Sequence, residues 1–318
     1  MTSEPDHERI PLGTGLEFDA IRAMLSRWGE LAVGVGDDAA VLDVPRGDSL
    51  VASVDTALEG RHFRSGWLTP REIGYRAVTA ALSDLAAMAA RPLGVLVALN
   101  LSAPYQVAIT ELADGIGDAV ETAGTRILGG NVSGADALCL TTTVLGAAYA
   151  PLARAGLHPG DFVYVTGTLG GPGAAVAAWQ AGHAPNRNHR ARFARPTARL
   201  REARWLADRG AVAAIDISDG LAADLEQLAA ASDVGIDVDL AKLPLLDGVD
   251  DAVQAAGSGE EYELLIGARD QLDTAEFERT FYLPLTAIGR ARPREEGVRF
   301  SRKGERVAKP SGYDHLSR

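Results

Sequence analysis

Short apolar runs alternate along the chain with longer stretches in which apolar residues return every three or four positions. The runs predict strands and the periodic stretches predict helices. Ser49 to Val54, Leu93 to Leu101, Thr125 to Leu128 and Ala137 to Ala148 are the strand-like segments of the first half. Thr69-Pro70-Arg71-Glu72 forms a capping box with proline at the first helical position, so a helix is expected from there to about Ala89. A second helix is expected over Tyr105 to Ala123, with Glu111, Asp114, Asp118 and Glu121 on its wet face. Pro151 to Asp161 carries proline and glycine and reads as a connector. Beyond it the alternation resumes. Phe162 to Thr166 and Val212 to Ile217 are strand-like, as are Ile236 to Leu240 and Tyr262 to Ile266, which complete the strands. Pro172 to Ala181, Arg199 to Arg209 and Leu221 to Ala231 are helix-like. The pattern predicts two α/β (α+β) domains, residues 1–150 and 151–318, with no short repeat and no low-complexity tract.

Composition narrows the classes. A chain of 318 residues can bury two separate cores, and 47% apolar with 23% charged residues is ordinary for a globular protein. Every apolar run stops well short of the roughly 18 residues of a membrane span. Met1 to Pro11 is polar and mixed in charge, unlike a signal peptide. The single cysteine, Cys139, lies in the apolar stretch Ala137 to Val144 and is expected to be a buried structural thiol. One cysteine suits a reducing compartment, and the cytoplasm is expected. The formal charge of −12 argues against a nucleic-acid partner. Seven arginines between Arg187 and Arg204 run against that charge and are expected to form a solvated loop leading into a helix after Pro196. With three lysines, Lys242, Lys303 and Lys309, and no Gly-x-x-x-x-Gly-Lys-Ser/Thr string, a P-loop kinase is excluded.

The carboxylates carry the chemical signal. Asp37 and Asp38 follow Gly36, Asp55 follows the strand Ser49 to Val54, and Asp216 and Asp219 stand where Val212 to Ile217 meets a helix. Ligands of α/β proteins bind beyond strand carboxyl ends. Each aspartate alone is equally a turn or N-cap residue. Asp84 is different. Ile73, Ala77, Ala80, Asp84 and Ala87 share one helical face, otherwise small and apolar, and a carboxylate there requires a partner. A hard divalent cation, magnesium first, fits an all-oxygen donor set, whereas six scattered histidines and one cysteine offer no zinc site. A shared magnesium site and several unrelated structural aspartates both remain open on spacing alone. Thr166 to Gly173 invites a phosphate-loop reading, but a strand-to-helix turn explains its glycines equally well.

Several strings occur together and in order: Gly34-Val35-Gly36-Asp37-Asp38, Ser53-Val54-Asp55-Thr56, His62-Phe63, Leu82-Ser83-Asp84-Leu85, Leu128-Gly129-Gly130-Asn131, Pro159-Gly160-Asp161, Val165-Thr166-Gly167-Thr168, Asp216 to Gly220, Gly259-Glu260-Glu261-Tyr262-Glu263-Leu264 and Gly312-Tyr313-Asp314-His315. In these the chain resembles the thiamine-monophosphate kinase family of the aminoimidazole-ribonucleotide synthetase-like superfamily, from about Gly15 to His315. The resemblance implies two α/β domains, the first with a mixed sheet, pairing as a homodimer through the N-terminal domains. It implies magnesium at Asp38, Ser53, Val54 (through its carbonyl), Asp55, Asp84, Asp216 and Asp219, with Asn131 at a further position. It implies ATP contacts at Gly130, Asn131, Arg154 and Ser218, and thiamine monophosphate contacts at His62, Glu260 and Tyr313. No covalent or general-base residue is implied. Three positions depart from the family's pattern: Asn131 and Glu261 each stand where aspartate is usual, and Ala81 where asparagine is common. A related ATP-dependent synthetase, a nucleotide-binding relative without turnover and a two-metal phosphatase are the competing readings. A selenophosphate synthetase would need a reactive Cys or selenocysteine and a lysine near the N-terminus, which this sequence lacks.

Overall fold

The computed structural model describes residues 14–36 and 38–312, which fall into two compact units. One holds the described residues up to Leu85 together with Arg91–Ala150; the other holds Ala86–Ala90 and the chain from Pro151 onward.

The first unit runs α1 (Leu16–Trp28), β1 (Ser49–Leu58), α2 (Pro70–Ala87), β2 (Arg91–Leu101), α3 (Ala103–Val107), α4 (Ile109–Thr122), β3 (Ile127–Gly134) and β4 (Cys139–Ala148). Its sheet has the order β1-β4-β2-β3, parallel between β2 and β3 and antiparallel elsewhere. The capping box starts α2: the Thr69 N–H donates to Glu72 at 2.8 Å, and the Glu72 N–H donates to Thr69 Oγ1 at 3.2 Å. Leu85 of α2 packs beside Gly146 of β4, on the sheet face that also carries Ser53 and Val144. The opposite face of β1 presents Leu50 and Val54, 53% and 61% exposed.

Four expectations change here. β1 does not end at Val54; Asp55 and Thr56 lie inside it, opposite Thr142 and Thr141. An edge strand tolerates an aspartate that a central strand would disfavour, and Asp55 accepts the Thr56 N–H at 2.7 Å. Gly129-Gly130-Asn131 also lies within a strand, because a register shift at Val95/Leu96 brings β3 against β2. A Cβ on Gly130 would stand 1.8 Å from the Val97 carbonyl, so close backbone approach alone requires glycine there. The helix expected over Tyr105 to Ala123 breaks at Ala108, where the chain turns before Ile109 and Leu112 enter the core. Cys139 is half-buried at the start of β4 rather than sealed in.

The second unit runs β5 (Phe162–Thr166), α5 (Gly171–Gln180), α6 (Arg187–Ala194), α7 (Leu200–Ala207), β6 (Ala211–Asp216), α8 (Leu221–Ser232), β7 (Gly235–Asp239), α9 (Ala252–Ala256), β8 (Leu264–Ala268), α10 (Thr274–Phe281), β9 (Leu285–Arg292), β10 (Val298–Arg302) and β11 (Glu305–Val307). Its strands follow the order β11-β10-β7-β9-β5-β8-β6. One sheet face packs on α8: Val163, Val165, Val238, Ile288 and Phe300 join Leu221, Leu225 and Leu228 in a core with almost no exposure. β9, β10 and β11 were not expected, and α6 stands where a solvated arginine loop was expected. Among the described residues no helix is long and apolar enough to cross a membrane.

Candidate functional site

In the first unit Ser53, Asp55 and Asp84 lie where β1 meets α2. Ser53 and Asp55 alternate onto the face that α2 covers, and Ser53 Oγ donates to Asp84 Oδ2 at 2.5 Å. Asp84 thus shares its apolar helix face with a hydroxyl from the sheet, and Ile73, Ala77 and Ala80 of that face are buried. The Val54 side chain points the other way, so its backbone is what it can offer this face. Asp38 is exposed in the segment after α1, and Ala81 is fully buried in α2. Asn131 and Gly130 sit on β3, level with Ala98 and Val97 of β2. Beyond β1 the chain turns so that His62 Nδ1 accepts the Leu58 N–H at 3.0 Å, which leaves Nε2 as the protonated nitrogen of the neutral ring. A cleft of about 430 Å³ opens beside this turn, lined by Glu59, Ser65, Tyr105 and Asp136 among others. Tyr105 donates to Glu59 at 3.3 Å, and burial together with the Glu59 charge pushes its hydroxyl up to about 12.

In the second unit the acidic turn lies at the end of β6. Asp216 is its last residue and is buried; Ser218 and Asp219 follow, and α8 starts at Leu221. The turn is held from below by Asp224, a residue the sequence reading missed. Asp224 accepts the backbone N–H groups of Ser218 and Asp219 at 3.1 and 3.2 Å. Burial, reinforced by the negative charges of Asp216 and Asp219, pushes its carboxyl up to about 8. The spacing argument used for Asp84 finds it: Leu221, Asp224, Leu225 and Leu228 share the buried face of α8. Glu260 closes over the same turn, its N–H donating to the Ser218 carbonyl at 2.7 Å. Glu260 and Tyr262 both adopt left-handed backbone, and the Tyr262 hydroxyl donates to Glu260 Oε2 in a short hydrogen bond. Gly259 permits the approach, since a Cβ there would stand 2.6 Å from the Ser218 carbonyl. Gly312 also passes against Asp219; Tyr313 lies outside the described residues. Arg154 is exposed on the connector, its carbonyl accepting from Ser232 at 2.9 Å.

Two further carboxylates of the same loop are structural. Glu263 is 1% exposed and accepts from Thr166 Oγ1 at 2.7 Å, Arg192 at 2.9 Å and Arg199 Nε at 2.8 Å, with a second, shorter bond from Arg199. Arg192 and Arg199 are thereby drawn inward, which corrects the solvated reading of the arginine run: a buried carboxylate demands cationic partners. Glu261, also 1% exposed, accepts the Gly170 N–H at 2.6 Å, and burial pushes its carboxyl up to about 8. The Thr166–Gly173 turn spends its N–H groups internally: Gly167 on Pro284, Leu169 on Pro244, Gly170 on Glu261 and Gly173 on Ser258. A strand-to-helix turn accounts for it.

Asp38, Ser53, Val54, Asp55, Asp84 and Asn131 therefore belong to the first unit, and Arg154, Asp216, Ser218, Asp219 and Glu260 to the second. Among the described residues no three His, Cys, Asp or Glu side chains are grouped closely enough to hold a metal ion in common. What the turn offers a hard cation is like charge on oxygen donors: Asp216 and Asp219 stand close enough to Asp224 for their charges to help push its carboxyl up.

Two family models match in sequence order: AIR synthase related protein, N-terminal domain, over residues 36–148, and its C-terminal domain over residues 158–300. The thiamine-monophosphate kinase of Escherichia coli K12 is 34% identical across 94% of this chain and 96% of its own. A crystal structure of thiamine-monophosphate kinase from Stenotrophomonas maltophilia superposes with a TM-score of 0.79 at 34% identity, covering 95% of this chain and 100% of that one. The structure of AaThiL complexed with AMPPCP and TMP superposes with a TM-score of 0.73 at 27% identity, covering 97% and 100%.

Proposed function

From the membership of this chain in the thiamine-monophosphate kinase family, we propose that it transfers the terminal phosphoryl group of ATP to thiamine monophosphate, giving ADP and thiamine diphosphate. The observation that carries this reading for the chain's own residues is the acidic turn Asp216–Asp219 over Asp224, an excess of negative charge at a strand end with Ser218 and Glu260 beside it.

The acceptor is a phosphate oxygen, largely ionised at neutral pH because the second phosphate pKa is about 6. Transfer therefore depends on positioning and charge compensation more than on a base. Asp216 and Asp219 in the second unit, and Asp38, Ser53, Asp55, Asp84 and the Val54 carbonyl in the first, are the groups assigned to magnesium, with Asn131 as a weaker, uncharged donor. Magnesium, when bound, neutralises phosphate charge during transfer. Ser218 and Arg154, with Gly130 and Asn131, are assigned to ATP. His62, Glu260 and Tyr313 are assigned to thiamine monophosphate: His62 with its ring oriented by the Leu58 N–H on Nδ1, Glu260 as a carboxylate bonded by the Tyr262 hydroxyl. The exposed apolar side chains Leu50 and Val54 on the edge strand β1 support pairing of two copies through the first unit. The single cysteine suits work in the cytoplasm.

Product chromatography after incubation with ATP, magnesium and thiamine monophosphate tests the proposal. ADP and thiamine diphosphate in equal amounts are expected. ATP binding without products sinks the kinase reading, and phosphate release with no acceptor present points to a phosphatase instead.

A further inference from the structure

The sheet face of the second unit that turns away from α8 is not uniformly covered. Across β5, β9, β7 and β10 the register aligns Phe162, Arg290, Asp237 and Arg299 in one cross-strand row. These strands border a groove of about 560 Å³, within the size range of small-molecule sites. The lining carries five cationic side chains and two carboxylates, in a protein of net charge −12. Their pairing is uneven. Asp237 is taken by Arg292 at 2.9 Å and Arg299 at 3.0 Å, and Asp239 accepts the Ala241 N–H at 3.0 Å. Lys242 and Arg306, both exposed, meet no carboxylate among the described residues. Arg290 lies with its guanidinium carbon 3.6 Å from the Phe162 ring centroid and donates to the Gly160 carbonyl at 2.8 Å. A guanidinium stacked on a ring is fixed in orientation and keeps its other face for a ligand. Three cations thus remain uncompensated around one concavity.

The groove is separate from the acidic turn. β5 and β6 run in the same direction, both antiparallel to β8, and Phe162 and Ala211 each pair with Ala268. Phe162 therefore lies level with the start of β6, and Asp216, which pairs with Leu264 four residues along β8, lies roughly 13 Å away along the strand direction at about 3.3 Å per residue.

We propose that this groove binds a small polyanion of the polyphosphate class, held by Lys242, Arg306 and Arg290. Charge complementarity selects the anion, and the volume of the groove selects a small molecule. The inference does not rest on the kinase reading.

Isothermal titration of the full-length protein with sodium tripolyphosphate in EDTA tests it. Chelation removes divalent ions, so the aspartate turn repels the probe. One binding event is expected. Lys242→Glu combined with Arg306→Glu is expected to weaken it at least about tenfold, since two reversed charges act on several negative ones. The Lys242→Gln and Arg306→Gln pair loses less in the same direction, and Asp219→Asn leaves the affinity unchanged. Melting temperature and ADP formation of the groove variants stay at wild-type values. Absence of binding in EDTA, equal affinity in the charge-reversed protein, or equal loss in Asp219→Asn overturns the proposal. So does binding of a DNA duplex in place of tripolyphosphate.

Discussion

Glu260 and Glu263 stand three residues apart and live under opposite rules. Around Glu263 the chain supplies its own countercharge: Arg192 and Arg199 close on the carboxylate and nothing is left for a ligand. Around Glu260 it supplies more negative charge, with Asp216, Asp219 and Asp224 at the turn that Glu260 covers. A buried charge enclosed by two of the chain's own guanidiniums belongs to stability, and several like charges at one strand end belong to chemistry.

The largest effect is expected at Glu263. Removing that carboxylate leaves two guanidiniums facing each other, and Glu263→Ala is expected to cost about 3–5 kcal/mol of unfolding free energy, read by urea denaturation. A loss below 1 kcal/mol would mean the pair is dispensable. Across the divide, Asp219→Ala is expected to leave stability nearly intact while turnover falls about 100-fold or more, as for a lost transition-state donor. Asp84→Ala is expected to fall by a similar factor. Near-normal rates at saturating magnesium would remove either residue from the ligand set.

Glu261 gives a smaller, pH-dependent effect. Its carboxyl ordinarily titrates at 4.5 and is pushed up to about 8 in the folded protein. Between those values the native state holds a proton that the unfolded chain releases, so stability declines as pH rises through that window. Glu261→Gln removes the titration, and its stability profile is expected to be flatter from pH 4.5 to 8; parallel profiles would show that Glu261 does not titrate there. The finest change is Asn131→Asp, which restores a charge on β3 and is expected to lower the magnesium concentration for half-maximal rate. An unchanged requirement would make that position peripheral.

Much of this was legible beforehand. The two-domain α/β plan, the capping box before α2 and the aspartates beside apolar segments follow from local pattern and turn chemistry. β9 escaped notice because Ile288 has no opposite residue between the pairs Val163–Gly289 and Tyr164–Ala287. Its buried residues Leu285, Ile288 and Ala291 consequently fall at intervals of three, which a search for alternation passes over. The arginine run was misread for a different reason. Its partner Glu263, just before β8, lies more than sixty residues away in sequence, and no local spacing announces a buried carboxylate waiting there. Asp224 was within reach of the helix-face argument and was missed because an aspartate in a first helical turn is so common.

The clearance at Gly259 has a practical corollary. Where 2.6 Å separates an imagined methyl carbon from the Ser218 oxygen, the smallest side chain other than hydrogen acts as a wedge. It would lever Glu260 off the turn while leaving every reactive group chemically unaltered. A harmless-looking alanine at that joint can therefore silence the protein, and the damage would register as lost geometry, not lost chemistry.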